Sequence, residues 1–445
     1  MKKIAILVFF TVGFFVHVWA CTGLIAGKQA TVDGSVLVTY SADSHTLYGA
    51  LTSSPAADWP KGSMRSIVEW DTNKPLGEIE QVEHTYAVIG NMNEHQLTVV
   101  ESTWGGRPEL VDTTGIIDYG SLMQLALERA KTAREAIKVM TGLVKKYGYY
   151  SSGESFTIAD PNEAWILDLI GKGPGRRGAV WVAVRIPDDC IAGHANYPRI
   201  HKIPMDDKEN CLYSPDVISF AREMGYFDGL NKDFSFARAY SPADFGALRA
   251  CDARVWSFFR RYDSSMDNYL PYVNGESAEP FPLYVKPSRK LSVQDMKEAM
   301  RDHFEDTPFD MTQDVGAGPF KVPYRFRPMS FEVDGKSYCM ERAIATQQTG
   351  FTLVGQMRNW LPDPVGGVLW FGVDDANTCV YIPMYCGITQ VPECFSPENG
   401  SMYDFSWTSA FWIHNWVANM AYARYEPMIG DIRKVQSAVE TSLNL

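Results

Sequence analysis

CTGLIAGKQATVDGSVLVTYSADS, residues 21–44, reads as two apolar strands around a turn. Residues 23–27 and 35–40 are the apolar runs, and Val32-Asp33-Gly34 between them carries the Asp-Gly pair that favours hairpin turns. The preceding stretch, MKKIAILVFFTVGFFVHVWA at residues 1–20, differs in kind. Lys2 and Lys3 make a basic n-region, residues 4–16 an apolar h-region, and Val18-Trp19-Ala20 a cleavage site, the pattern of a bacterial secretory signal peptide. Cleavage after Ala20 makes Cys21 the first residue of the mature chain. A terminal cysteine carries a thiol and an α-amine, with unperturbed pKa values of about 8.5 and about 7.7–8.0. Near neutral pH the amine can accept the thiol proton, so one residue holds nucleophile and base.

Two other readings of Cys21 compete. A lipoprotein cysteine is acylated after cleavage, but Trp19 is bulky where that pattern wants a small residue. The Ser/Gly-rich tether usual after a lipid anchor is also replaced by the strand-like Thr22-Gly23-Leu24-Ile25-Ala26-Gly27. The plainer alternative is an exported cysteine held in a disulfide.

Composition places the chain among globular proteins: 445 residues, 46% hydrophobic and 21% charged. The net charge of −12 becomes more negative once Lys2 and Lys3 are removed, which disfavours nucleic acid or an anionic membrane as partner. No apolar run after the h-region approaches the ~20 residues of a membrane span. The expected product is exported and soluble, periplasmic or extracellular. Besides Cys21 the cysteines are Cys190, Cys211, Cys251, Cys339, Cys379, Cys386 and Cys394, an odd number that leaves at least one thiol unpaired within the chain. No CxxC pair exists, so no structural zinc site is expected.

There is no linker-like tract or repeat, so residues 21–445 are read as one domain. Residues 85–90 with 97–102, and 164–170 with 179–186, form further strand pairs over short connections, which favours antiparallel sheets. Residues 121–147 carry apolar side chains at helical spacing (Leu122, Leu125, Ala126, Ala130, Ala133, Ile137, Met140, Val144). Residues 244–262, 293–304, 407–425 and 429–443 are further helices. Ser292 with Asp295 resembles a capping box at the start of one of them. Strands are expected at 347–357 and 367–383. Hairpins alternating with helices predict an α+β chain with helices layered on sheets.

Gly173-Pro174-Gly175-Arg176-Arg177-Gly178 matches GxGxxG, but the strand-like 179–184 follows where a dinucleotide site needs a helix, so it reads as a hairpin loop. His194 and His201 lie in no metal motif and read as hydrogen-bonded or surface histidines. Acyl transfer by Cys21 needs groups that orient amine and thiol, and donors for the oxyanion. Asp43 ends the hairpin, where antiparallel pairing returns it near Cys21. Asn93 and Asn196 each carry an amide N–H suited to an oxyanion, and each equally suits an Asx turn.

The blocks 21–44, 90–106 (GNMNEHQLTVVESTWGG), 127–140, 147–173, 194–200 (HANYPRI), 301–311, 317–320 (AGPF), 341–375 and 381–389 resemble, in order, the dipeptidase A family of cysteine peptidases in the N-terminal nucleophile hydrolase superfamily. The resemblance implies a four-layer αββα sandwich and hydrolysis of short peptides without metal or cofactor. It puts the nucleophile on Cys21, the amine-orienting aspartate on Asp43, and the oxyanion asparagines on Asn93 and Asn196. Relatives commonly carry an arginine three residues before that aspartate; here it is Tyr40, which is uncharged near pH 7. Arg254, in Ala253-Arg254-Val255-Trp256, is the candidate catalytic arginine from elsewhere in the chain, with a helix-surface arginine as the alternative. A choloylglycine hydrolase or penicillin V acylase type of amide hydrolase is the nearest other function. A lipid-anchored binding protein without turnover is the alternative of another class.

Overall fold

The computed structural model of the chain describes residues 21–325 and 330–444. The expected signal peptide, residues 1–20, lies outside the described residues.

The opening hairpin forms as expected. Thr22–Ala26 runs antiparallel to Val36–Asp43, with Gly23 opposite Tyr40 and Ala26 opposite Leu37. Both strands are buried along their length, so they read as apolar runs rather than as an alternating pattern. They sit centrally in a sheet ordered Tyr284–Val285, Ile191–His194, Thr22–Ala26, Val36–Asp43, Thr349–Met357, Val368–Val373, Ile382–Tyr385. A second sheet is ordered Cys211–Tyr213, Ala179–Ile186, Ala164–Gly171, Gly153–Ala159, Thr98–Trp104, Met92–Asn93, Val88–Ile89, Ser53–Ser54. The pairings within both are antiparallel.

Three apolar clusters hold these parts together. One is shared by strands of both sheets, with Ile25, Val38 and Leu353 beside Val100, Ile166 and Ile170. A second joins the first sheet (Leu24, Leu37, Val354, Trp370) to the helices Ala253–Arg260 and Val293–Met300. The third joins the second sheet (Val99, Phe156, Trp165, Leu167) to Tyr119–Arg129 and Ala133–Tyr147. The fold is α+β, with antiparallel sheets covered by helices. Among the described residues no helix is long and apolar enough to cross a membrane, and no disulfide joins the cysteines.

Several elements differ from expectation for local reasons. The single helix expected over 121–147 is two helices, broken where Ala130 is extended at φ −127° and ψ 149°. Thr132 caps the second helix by accepting the Glu135 N–H, and Asp160 accepts the Ala133 N–H at 2.9 Å. The backbone groups released by the break are thereby paired, so the break costs little. The segment 244–262 carries a π-helical turn, Ala247–Asp252, ahead of the α-helix Ala253–Arg260. The helix at 293 has the capping box, Ser292 and Asp295 exchanging bonds, but stops at Met300. The apolar run 367–383 makes two strands, Val368–Val373 and Ile382–Tyr385. The GxGxxG match is the tip of the hairpin that pairs Gly171 with Ala179.

Candidate active site

Cys21 lies at the start of a central strand, on a cavity of about 320 Å³ that opens between the sheets. Tyr40, Ala42 and Asp43 of the neighbouring strand and Glu101 of the second sheet line it. Trp70, Asp71, Asn91, Tyr119, Met123, Phe351 and Phe371 complete much of the wall. The Cys21 thiol is buried. Burial, then the charges of Glu101 and Asp43, push its pKa well above the usual thiol value; the Asp43 N–H and the Tyr40 hydroxyl pull the other way.

Tyr40 stands where an arginine was expected from the resemblance. Its hydroxyl lies 3.6 Å from Cys21 Sγ and donates to Glu101 Oε1 at 2.5 Å. Glu101 is fully buried, and its carboxyl pKa is raised by desolvation. Its neighbour Glu154, held by Thr103 Oγ1 at 3.0 Å, is raised further by desolvation and by the Glu101 charge. Two carboxyls in one dry site cannot both ionise cheaply.

Asp43 is buried and compensated. Arg342 Nη2 reaches its Oδ2 at 2.5 Å, Thr349 Oγ1 its Oδ1 at 2.6 Å, and Ser41 Oγ its Oδ2 at 3.0 Å. The carboxylate is thus locked in orientation beside Cys21, with its backbone N–H on the thiol.

Arg254 is a buried residue and not a helix-surface arginine. Its guanidinium spends its N–H groups on Cys21 O (2.8 Å), Thr22 Oγ1 (2.7 Å), Ala195 O (3.1 Å), Asn196 Oδ1 (2.8 Å) and Ala250 O (2.8 Å). Desolvation and the nearby Arg342 charge lower its pKa to about 10, so it stays cationic at neutral pH. It fastens the start of the first strand to Asn196. Asn196 sits in the left-handed region at φ 57°, which asparagine tolerates, and gives one amide hydrogen to Thr103 O at 2.6 Å.

The structure does not bring Asn93 to the cavity. Its two amide hydrogens go to Leu127 O and Ala130 O, each at 2.8 Å, and its Oδ1 accepts from His95 N and Leu97 N. This is the Asx turn left open by the sequence, and it leaves no hydrogen for an oxyanion. Two residues earlier, Asn91 lines the cavity and donates to Val99 O at 3.0 Å. His194 is a clamp between the sheets, bonded to Ser102 Oγ at 2.6 Å and Thr157 Oγ1 at 2.8 Å. Burial and Arg254 lower its pKa to about 3, so it is neutral. Gly23 is needed opposite it, since a Cβ there would meet the imidazole at 2.9 Å.

A profile of the sequence family "Peptidase family C69" matches residues 20–438. The chain belongs to peptidase family C69. Among similar proteins of this family-sized length, "Probable dipeptidase" of Salmonella dublin is 27% identical over 396 residues, covering 83% of this chain and 81% of that protein. "Probable dipeptidase" of Latilactobacillus sakei is 25% identical over 429 residues, covering 91% and 82%. "Dipeptidase A" of Lactobacillus helveticus is 24% identical over the same length, with the same coverage. The C69 chain also has residues around the cavity that its sequence did not disclose: Glu101, Asp71 and Tyr119 on the wall, Arg342 bonded to Asp43, and Glu154 beside Glu101. Arg342 and Asp43 are 299 positions apart, and Glu101 lies inside an apolar strand where its spacing resembles nothing catalytic.

Proposed function

We propose that the chain is an exported dipeptidase that cleaves short peptides through the thiol of Cys21 after removal of residues 1–20. The observation that carries the reading is the placement of Cys21 on the cavity beside Asp43 and Tyr40, with its backbone carbonyl tied through Arg254 to Asn196. The family match and the names of the relatives supply the substrate class. The two sheets with helices on their outer faces support a four-layer αββα sandwich, with residues 21–445 acting as one hydrolase domain.

In this reading the α-amine of Cys21 accepts the thiol proton as sulfur attacks the scissile carbonyl. The raised thiol pKa fits transfer during attack rather than a standing thiolate. Asp43, fixed by Arg342, orients the amine and the thiol. Asn196 is the oxyanion-side asparagine in this reading, with Asn91 in the place first given to Asn93. The amine then protonates the leaving amine, and water hydrolyses the thioester. Arg254 acts as a positioning residue, because its hydrogen bonds go to Cys21 O and Asn196 Oδ1 and not toward the cavity. The test is dipeptide turnover by protein beginning at Cys21 and by its folded Cys21→Ala variant; substantial activity in the variant would falsify the thiol mechanism.

A further inference from the structure

The cavity beside Cys21 is lined by carboxyls that lack a cationic side-chain partner among the described residues. Among the described residues, no lysine, arginine or histidine pairs with Glu101, Glu154, Asp71 or Asp118. Asp43, by contrast, has Arg342. Glu101 Oε2 and Glu154 Oε1 are both buried and receive no hydrogen bond from a described donor. The two carboxyls are close enough to bond each other once one is protonated. A cavity-lining carboxylate this dry costs free energy unless a partner arrives. The arrangement does not suit a metal, since no three acid, histidine or cysteine side chains among the described residues converge on one point.

We propose that Glu101, backed by Glu154, binds the free α-ammonium of the substrate and so selects peptides with an unblocked N-terminus. The inference rests on the dipeptidase reading and names the chemistry of its first subsite. Stereochemistry supports it. In a substrate cut after its first residue, the ammonium nitrogen is two bonds from the attacked carbonyl, ~2.5 Å away. With sulfur bonded to that carbon, the nitrogen's partners must lie within roughly 6–7 Å of Sγ. Tyr40 bridges Sγ and Glu101, its hydroxyl 3.6 Å from Sγ and 2.5 Å from Glu101 Oε1, so Glu101 Oε1 lies no farther from the sulfur than the sum of those distances. Asp71, held by the Tyr119 hydroxyl at 2.8 Å, stands further along the same wall and adds to the negative field. The apolar faces of Trp70, Met123, Phe351 and Phe371 take the side chains. Binding the ammonium also cancels part of the charge that holds the thiol proton in place, so the correct substrate activates its own nucleophile.

The experiment compares alanyl-leucine with propionyl-leucine, which lacks only the amino group. Wild-type mature protein should prefer alanyl-leucine by about 100-fold in kcat/KM, the scale of charge-assisted hydrogen bonds in a dry site. In Glu101→Gln that preference should fall to about tenfold or less, whatever the overall rate. Glu101→Asp keeps the charge and the fold but shortens the reach, so the preference should drop there as well. Calorimetric binding of both compounds to Cys21→Ala protein should show the same preference without turnover. If wild type hydrolyses both compounds equally, the ammonium assignment falls while the dipeptidase reading stands; if it hydrolyses neither, the dipeptidase reading itself falls. An unchanged preference in folded Glu101 variants overturns the assignment too, because Glu101 then serves Tyr40 or the protein's own amine alone.

Discussion

Tyr40→Phe isolates one hydroxyl at the centre of the site. The ring keeps its edge contact with Phe351, at 5.7 Å between centroids, so packing changes little. The variant loses the 2.5 Å bond to Glu101 Oε1 and the 3.6 Å contact with Cys21 Sγ. A hydrogen bond to a charged group contributes about 1.5–3 kcal/mol and a neutral one about 1 kcal/mol. Glu101 is already raised above its ordinary 4.5 by desolvation, and the Tyr40 bond opposes that rise. Without the hydroxyl, the carboxyl holds its proton to still higher pH in the folded state. An acid with a raised folded pKa releases its proton more readily when unfolded, so stability declines as pH climbs from 4.5 through the folded pKa. The loss caused by Tyr40→Phe should therefore be smallest at or below pH 4.5, about 1 kcal/mol, and grow to about 2–3 kcal/mol near pH 8. Urea unfolding of both proteins across that range reads it directly. The Tyr40 bond also lowers the thiol pKa, so the pH midpoint of iodoacetamide reaction at Cys21 should move up in the variant. A destabilisation independent of pH, or an alkylation midpoint that falls, would refute the Tyr40–Glu101 coupling.

Tyr40→Arg should act in the opposite direction, its charge meeting Glu101 and lowering the alkylation midpoint in a folded variant. Arg342→Met strands the buried Asp43 carboxylate and should cost about 3–5 kcal/mol in urea unfolding. Asn93→Ala should cost about 2–3 kcal/mol by removing a saturated Asx turn, yet leave kcat/KM within about threefold at a temperature where the variant is folded. His194, neutral in the fold with its pKa near 3 against an ordinary 6.5, should make stability fall as pH drops from 6.5 toward 3. The slope from this group is at most about 1.4 kcal/mol per pH unit, and His194→Gln should flatten it in a stability-against-pH curve.

The local features of the sequence were the legible ones. The hairpin of residues 22–43 could be read because two apolar runs flank an Asp-Gly turn, and its register then fixes Asp43 beside Cys21. The Ser292–Asp295 box needs only residues three apart. The break at Ala130 was hidden, since the apolar spacing runs straight through it and the compensating groups, Asn93 and Asp160, lie elsewhere in the chain. Arg254 could be named but its setting could not: it reads as a helix residue until Cys21 O, Thr22 and Asn196 are brought around it. Asn91 and Asn93 are two residues apart, and only backbone geometry decides that Asn93 spends both amide hydrogens on carbonyls while Asn91 lines the cavity. Glu101 and Glu154 carry no sequence signal because their meaning is that two adjacent strands of the second sheet aim both at one dry spot.

The measurement that bears most directly on the central claim is the mass of the acyl-enzyme. Protein beginning at Cys21 is mixed with a dipeptide, quenched in acid within the first turnovers, and digested for mass spectrometry. The account predicts a thioester of the dipeptide's N-terminal residue on the peptide that begins at Cys21, absent from Cys21→Ala and from protein that retains residues 1–20. Turnover at an undiminished rate with the acyl group on another residue, or by the retained-leader protein, would contradict it.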